Sequence, residues 1–216
     1  MEQRLRFPKT NYDSIKFNII KMDKIMKKLL LLIALIMPMA LLAQEKQEKE
    51  KSSSKTIEFL SKDGSFLIKE FYDLPKVGTS YDRIDCQVLI ITDMKSNEKM
   101  GCFRLTTHYP SGSGTDDYIG TLDPDELDAS VMCLEKIQSD ILSTTPTVYT
   151  EAEFKTRDGV QIGTYWNKTK NKSEWVIYVK TKNYTSRSLS SVDVSNLPNL
   201  IQNLKDAKEM IVAKCK

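Results

Sequence analysis

The chain has 216 residues, 40% hydrophobic and 28% charged, enough for one medium domain or two small ones. Its formal net charge of +3 sits at the front: residues 1–43 hold eight of the 32 basic and three of the 29 acidic residues, leaving 24 against 26 and a net charge of −2 behind them. That balance disfavours nucleic-acid binding, which needs a basic excess to neutralise phosphates.

Lys27 and Lys28 precede the apolar run Leu29–Met37, followed by Pro38 and a small-residue segment ending Ala40-Leu-Leu-Ala43. This is the order of a signal peptide: positive region, apolar region, cleavage point. The apolar stretch Leu29–Ala43 is 15 residues long and is broken by Pro38, short of the roughly 20 needed to span a bilayer. We therefore expect a signal peptide over 26–43, cleaved to leave no permanent membrane span, and a periplasmic or secreted product. Met26 directly before Lys27 reads as the true start, with residues 1–25 an upstream extension. A leader ending Leu41-Leu-Ala-Gln44 before a charged stretch resembles those of exported proteins of Bacteroidetes-type bacteria. The resemblance implies a compartment and no activity.

Residues 44–55 contain no apolar side chain and are expected to form a solvated tether. From Thr56 to Phe71 the pattern predicts a hairpin turning at Asp63-Gly64. Its register would set Phe59 opposite Ile68, Leu60 opposite Leu67 and Glu58 against Lys69. The same signature returns 95 residues later, where Glu153, Phe154 and Asp158-Gly159 match Glu58, Phe59 and Asp63-Gly64. Between the two, strands are predicted at Cys86–Thr92, Gly101–Thr107 and Tyr118–Thr121. A helix follows, opened by the capping box Asp123-Pro-Asp-Glu126 and carrying the stripe Leu127, Val131, Leu134, Ile137 and Ile141. The second half adds a strand at Trp175–Val179, a weaker one at Ser186–Ser190, and a helix from Ser195. Its stripe of Leu197, Ile201, Leu204 and Ile211 matches the first at a constant offset of 70. The expected fold class is α+β: a duplicated antiparallel β-hairpin and sheet unit, each half (56–142 and 147–214) closed by one amphipathic helix.

Of the four cysteines, Cys86 and Cys102 fall in neighbouring predicted strands and are the first choice for a disulfide, although a tight turn at Ser96-Asn97 would put them on opposite faces. The alternative for these two is burial as small apolar residues.

The chain's single histidine, His108, precedes the polar loop Tyr109–Tyr118. A hydrolase reading would use His108 as base, Ser111 or Ser113 as nucleophile and Asp116 or Asp117 as orienter. Catalytic triads draw on separated, rigid elements, however, so a surface histidine on a loop is the simpler reading. Asp116, Asp117, Asp123 and Asp125 lack calcium-loop spacing, and no Gly-Lys-Ser/Thr loop is present to cradle phosphate. No metal or cofactor is expected. Asn167, Asn171 and Asn183 match glycosylation sequons that a bacterial source would make incidental. Trp166, beside a polar run, is expected to be exposed, and with His108, Tyr109 and Tyr118 it forms the candidate ligand surface. The sequence thus points to an exported, non-enzymatic binding or envelope-associated protein whose partner is an extracytoplasmic ligand or protein. The alternatives are a hydrolase centred on His108 and a fold resembling single-strand nucleic-acid binders.

Overall fold

A computed structural model of the chain describes residues 54–79, 82–112, 114–169 and 172–216. The leader and most of the expected tether lie outside the described residues. The tether's last two residues belong to the domain: Ser54 is buried, and Lys55 opens the short helix α1 (Lys55–Leu60).

Two antiparallel four-stranded sheets follow, each succeeded by a helix. The first has the order β1 (Leu67–Asp73), β2 (Ile84–Asp93), β3 (Lys99–Ser111), β4 (Gly114–Leu122). A 3-10 turn at Pro124–Glu126 leads into α2 (Leu127–Lys136), which ends in a π turn at Ile137–Ile141. The second sheet has the order β5 (Glu151–Lys155), β6 (Gln161–Lys168), β7 (Ser173–Lys180), β8 (Leu189–Asp193). Another 3-10 turn, Val194–Asn196, precedes α3 (Leu197–Lys214). The duplicated α+β unit expected from the sequence is therefore present, as two separate sheets.

The first predicted hairpin is not formed. Residues 55–60 are helical because Ser54 caps them, its hydroxyl accepting from the Ile57 amide, and because Thr56 and Phe59 bury one face at helical spacing. Asp63-Gly64 still turns the chain, with Gly64 at φ +66°, but it joins α1 to β1. The Phe59–Ile68, Leu60–Leu67 and Glu58–Lys69 pairs are accordingly absent, and β1 pairs with β2 instead. The second hairpin does form, with Glu151 opposite Tyr165 and Lys155 opposite Gln161. Its connection spans residues 156–160. A two-residue type I′ turn needs positive φ at both Asp158 and Gly159, and only Gly159 (φ +85°) has it.

Each helix finds its main sheet contacts in the other half. α3 lies on β2 and β3, and α2 lies against β5. The fit of α3 is close: a Cβ on Gly101 of β3 would come within 2.7 Å of Ile211. Asn203 Nδ2 donates to the Pro75 carbonyl at 2.7 Å, and the Gly78 amide donates to Asn196 Oδ1 at 3.1 Å. These bonds fix the Asp73–Asp85 connection against α3. One core results, joining Val88, Phe103 and Leu105 of the first sheet to Ile162, Ile177 and Val179 of the second and to Leu134, Leu200 and Leu204 of the helices. Each such side chain contributes about 1.5–3 kcal/mol on burial. Where the halves meet, Thr107 and Thr181, both fully buried, face each other at 2.9 Å, and the Ser188 carbonyl accepts from Thr107 Oγ1 at 2.8 Å.

The outer face of the first sheet has a smaller cluster beneath α1, formed by Phe59, Leu89, Ile91 and Cys102. α1 is held there by a buried carboxylate. Asp123 Oδ1 accepts from Ser54 Oγ (3.0 Å), the Thr56 amide (3.0 Å) and Thr56 Oγ1 (2.6 Å). Its Oδ2 accepts from the Lys55 amide (2.8 Å) and pairs with Arg157 Nη2 at 3.0 Å. The predicted capping box is also visible, the Asp123 amide donating to Glu126 Oε2 at 2.9 Å. Glu126 Oε1 accepts the Arg157 amide at 2.8 Å, and Arg157 forks onto Asp125. Hydrogen bonds from Arg157, then from Lys55, hold the Asp125 carboxyl well below the usual carboxylate range. Because the folded-state value is lowered, this contact contributes its full stability above the unfolded value of about 4 and loses it progressively as pH falls from there toward the folded value.

Cys86 and Cys102 are free thiols. Cys86 stands opposite Leu105 and Cys102 opposite Leu89, an odd register offset that sends one into the main core and the other under α1. The disulfide expectation is corrected accordingly. Burial, the largest cause at both, pushes each thiol up to about 12. At pH 8 a maleimide should leave both unmodified in the native protein and label both after denaturation without reductant, as read by mass spectrometry. A pair recovered only after reduction contradicts the register.

Asp123→Ala strands four donors of residues 54–56 and removes one of the Arg157 ion pairs. It should lower the unfolding free energy by about 3–5 kcal/mol in urea titration.

Candidate functional site

A cleft of about 390 Å³ lies beside α1 and draws on four segments of the chain. Its floor is β4, where alternation brings Asp117, Ile119 and Thr121 to the outer face. Ile57 and Leu60 of α1 form one wall. Asp158 from the β5–β6 turn and Lys182 and Tyr184 from the β7–β8 connection form the other. Ile57, Ile119 and Tyr184 present exposed apolar surface. Asp158 is fixed by the Thr121 amide (3.0 Å) and hydroxyl (3.1 Å), with Lys182 Nζ 3.7 Å from the same carboxylate oxygen. The cleft therefore offers apolar and aromatic walls, with Asp117 at one end of the β4 floor and the Asp158–Lys182 pair at the other, beside Thr121, and α1 belongs to it because Asp123 holds that helix down.

Tyr118 lines this cleft. Its carbonyl accepts from Thr181 Oγ1 at 3.1 Å, tying β4 to the second half. His108 adjoins the cleft through Asp117, which stands opposite it in the β3–β4 ladder. The imidazole sits between two carboxylates, with Nδ1 2.7 Å from Asp117 Oδ1 and Nε2 3.2 Å from Asp85 Oδ2. Arg83 Nε (3.3 Å) and Lys76 Nζ (3.6 Å) flank the far oxygen of Asp85. Both ring nitrogens thus face carboxylates, and neither is turned to a hydroxyl. Ser111 is three residues further along the extended strand, about 10 Å away, and at an odd offset that points it to the other face. Ser113 lies outside the described residues. The geometry of His108 is that of a polar bridge between β2 and β4.

Tyr109 is exposed on the β3–β4 arm, with the Arg187 guanidinium 5.4 Å from its ring centre. Trp166 departs from expectation: it is 7% exposed and does not join the cleft. It lies on the central strand β6, opposite Trp175, with ring centres 5.4 Å apart in an edge-on arrangement. The connection between α2 and β5 reaches this pair: Trp175 Nε1 donates to the Thr144 carbonyl at 2.9 Å, and the Trp166 amide donates to the Thr150 carbonyl at 2.8 Å. The polar run beside Trp166 in sequence belongs to the β6–β7 turn and says nothing about the strand's inner face. Sequence reasoning missed Ile57, Leu60, Ile119, Asp158 and Lys182 as cleft residues. The signal open to it was the pairing of apolar residues with an acid at turn ends, a pattern too common to select them.

Trp166→Ala should therefore behave as a core deletion, lowering the unfolding free energy by about 3–5 kcal/mol. Tyr184→Ala, at a side chain 79% exposed, should stay within about 0.5 kcal/mol of the parent. Paired urea titrations separate the two roles; equal small effects would restore Trp166 as a surface residue.

The chain matches no protein-family model, no curated protein and no solved structure.

Proposed function

We propose that this protein is a non-enzymatic binding module acting outside the cytoplasm, with the cleft between α1, β4 and the β7–β8 connection as its ligand site. The observation that carries this reading is the cleft's composition: apolar walls from Ile57, Leu60 and Ile119, the ring of Tyr184, and polar groups at the two ends of the β4 floor, Asp117 at one and the Asp158–Lys182 pair at the other. Concave apolar surface with a few convergent polar groups is the usual form of a small-ligand site. An apolar middle between polar ends favours an amphipathic ligand with an apolar body and hydrogen-bonding groups. The hydrolase alternative needs a base aimed at a nucleophile, and both His108 ring nitrogens face carboxylates, Nδ1 hydrogen-bonded to Asp117 and Nε2 3.2 Å from Asp85. The reading of a periplasmic or secreted location rests on the leader, and among the described residues no helix is long and apolar enough to cross a membrane.

The test is a thermal-shift panel of amphipathic amines, short peptides, fatty acids and oligosaccharides on the parent and on Ile119→Lys. One amphipathic class should raise the melting temperature of the parent, by about 2.7 kcal/mol of stabilisation at roughly 100 times Kd, and leave Ile119→Lys unmoved. Turnover of an ester, peptide or glycoside panel that His108→Ala abolishes would overturn the reading in favour of the hydrolase. Fractionation of tagged cells should place the chain outside the cytoplasm with its amino end at Gln44.

A further inference from the structure

Among the described residues, the edge strand β1 is open. Its strand partner is β2 alone, whereas β4 lies against the β7–β8 segment and β5 against α2. β1 also carries apolar side chains that a protected edge would avoid, Ile68 at 44% and Phe71 at 51% exposed, and Phe66 just before it is 62% exposed. Two backbone bonds set the phase of the β1–β2 ladder, from the Met94 amide to the Phe66 carbonyl and from the Leu74 amide to the Cys86 carbonyl. The even-numbered residues therefore bond inward to β2. Leu67, Lys69, Phe71 and Asp73 turn their N–H and C=O groups to the free side.

Such an edge accepts an extended strand, and the strand's own sequence selects its partner. For two copies pairing antiparallel about a two-fold axis, facing residues must lie on the same side of the sheet, so the axis passes through one residue. Centring on Lys69 puts two ammonium groups face to face, and centring on Glu70 does the same with two carboxylates. Centring on Phe71 instead sets Lys69 opposite Asp73 of the second copy, twice by symmetry, with Phe71 against its own equivalent on the outer face. On the inner face the same register places Glu70 opposite Tyr72, which already hydrogen-bond within one chain at 2.9 Å, and Ile68 opposite Leu74. The ladder then ends at Pro75, which has no N–H and whose carbonyl is taken by Asn203.

We propose that the protein forms a two-fold homodimer by antiparallel β1–β1 pairing centred on Phe71, joining two four-stranded sheets into one of eight strands. The charge pattern Lys69-Glu70-Phe71-Tyr72-Asp73 is self-complementary in this register alone of the three. β4 is the opposite edge of the same sheet, so both clefts stay open at the outer ends of the dimer.

Sedimentation equilibrium of the purified product of the full-length gene tests this. The parent should dimerise. Lys69→Asp and Asp73→Lys should each raise the dissociation constant about tenfold or more, since each places like charges opposite one another twice. The double variant, which reverses the pair, should restore dimerisation to near the parent level. Lys69 and Asp73 are exposed, so circular dichroism should show all three variants folded. A monomer at every concentration, a dimer indifferent to either single reversal, or a double variant that fails to recover would each overturn the proposal.

Discussion

A single buried carboxylate holds the working parts of this molecule together. Asp123 is fully buried, and an ionised group there is tolerated only when its oxygens are satisfied. The donors come from segments distant in sequence: the Ser54–Thr56 backbone and hydroxyls, and the Arg157 guanidinium. The same residue begins α2. One side chain therefore sets where the N-terminal helix docks, where α2 starts and how the β5–β6 turn approaches the first sheet. The cleft wall formed by Ile57 and Leu60 is a consequence of that arrangement.

The duplication is of a kind that does not separate. Each sheet must cover an apolar face, and each is covered chiefly by the helix that follows the other sheet. Cutting the chain between α2 and β5 would leave the first sheet without α3 and the second without α2. The shared core and the buried Thr107–Thr181 contact follow from this exchange. The two halves are expected to fold as one cooperative unit.

The two edges of the first sheet have different chemistry. β4 carries the cleft and is bound to the second half through Thr121, Tyr118 and Asp158. β1 pairs with β2 alone among the described residues and, on its outer face, alternates apolar with charged side chains: Leu67, Lys69, Phe71 and Asp73. Between these edges His108 stands on β3 with its ring facing carboxylates of β2 and β4, Asp85 and Asp117.

Much of this was legible in the chain. Alternation and apolar runs located β2, β3 and β7, and the stripes beginning at Leu127 and Leu197 located α2 and α3, because strand and helix periods are local properties of a sequence. The parity that places Cys86 and Cys102 on opposite faces was also readable from a tight turn. Thr56–Leu60 was misread, since a short apolar run fits strand or helix and the choice was made by Asp123, 67 residues beyond Thr56. Trp166 was misplaced because a polar neighbourhood in sequence does not reveal which face of a strand is covered. An amphipathic stripe establishes that a helix will be buried, while the surface that receives it is decided by which apolar face is available at the right distance. The sequence by itself thus determined the elements and their order. The tertiary structure alone decided the exchange of helices, the cleft and the free edge, because each depends on contacts between residues far apart along the chain.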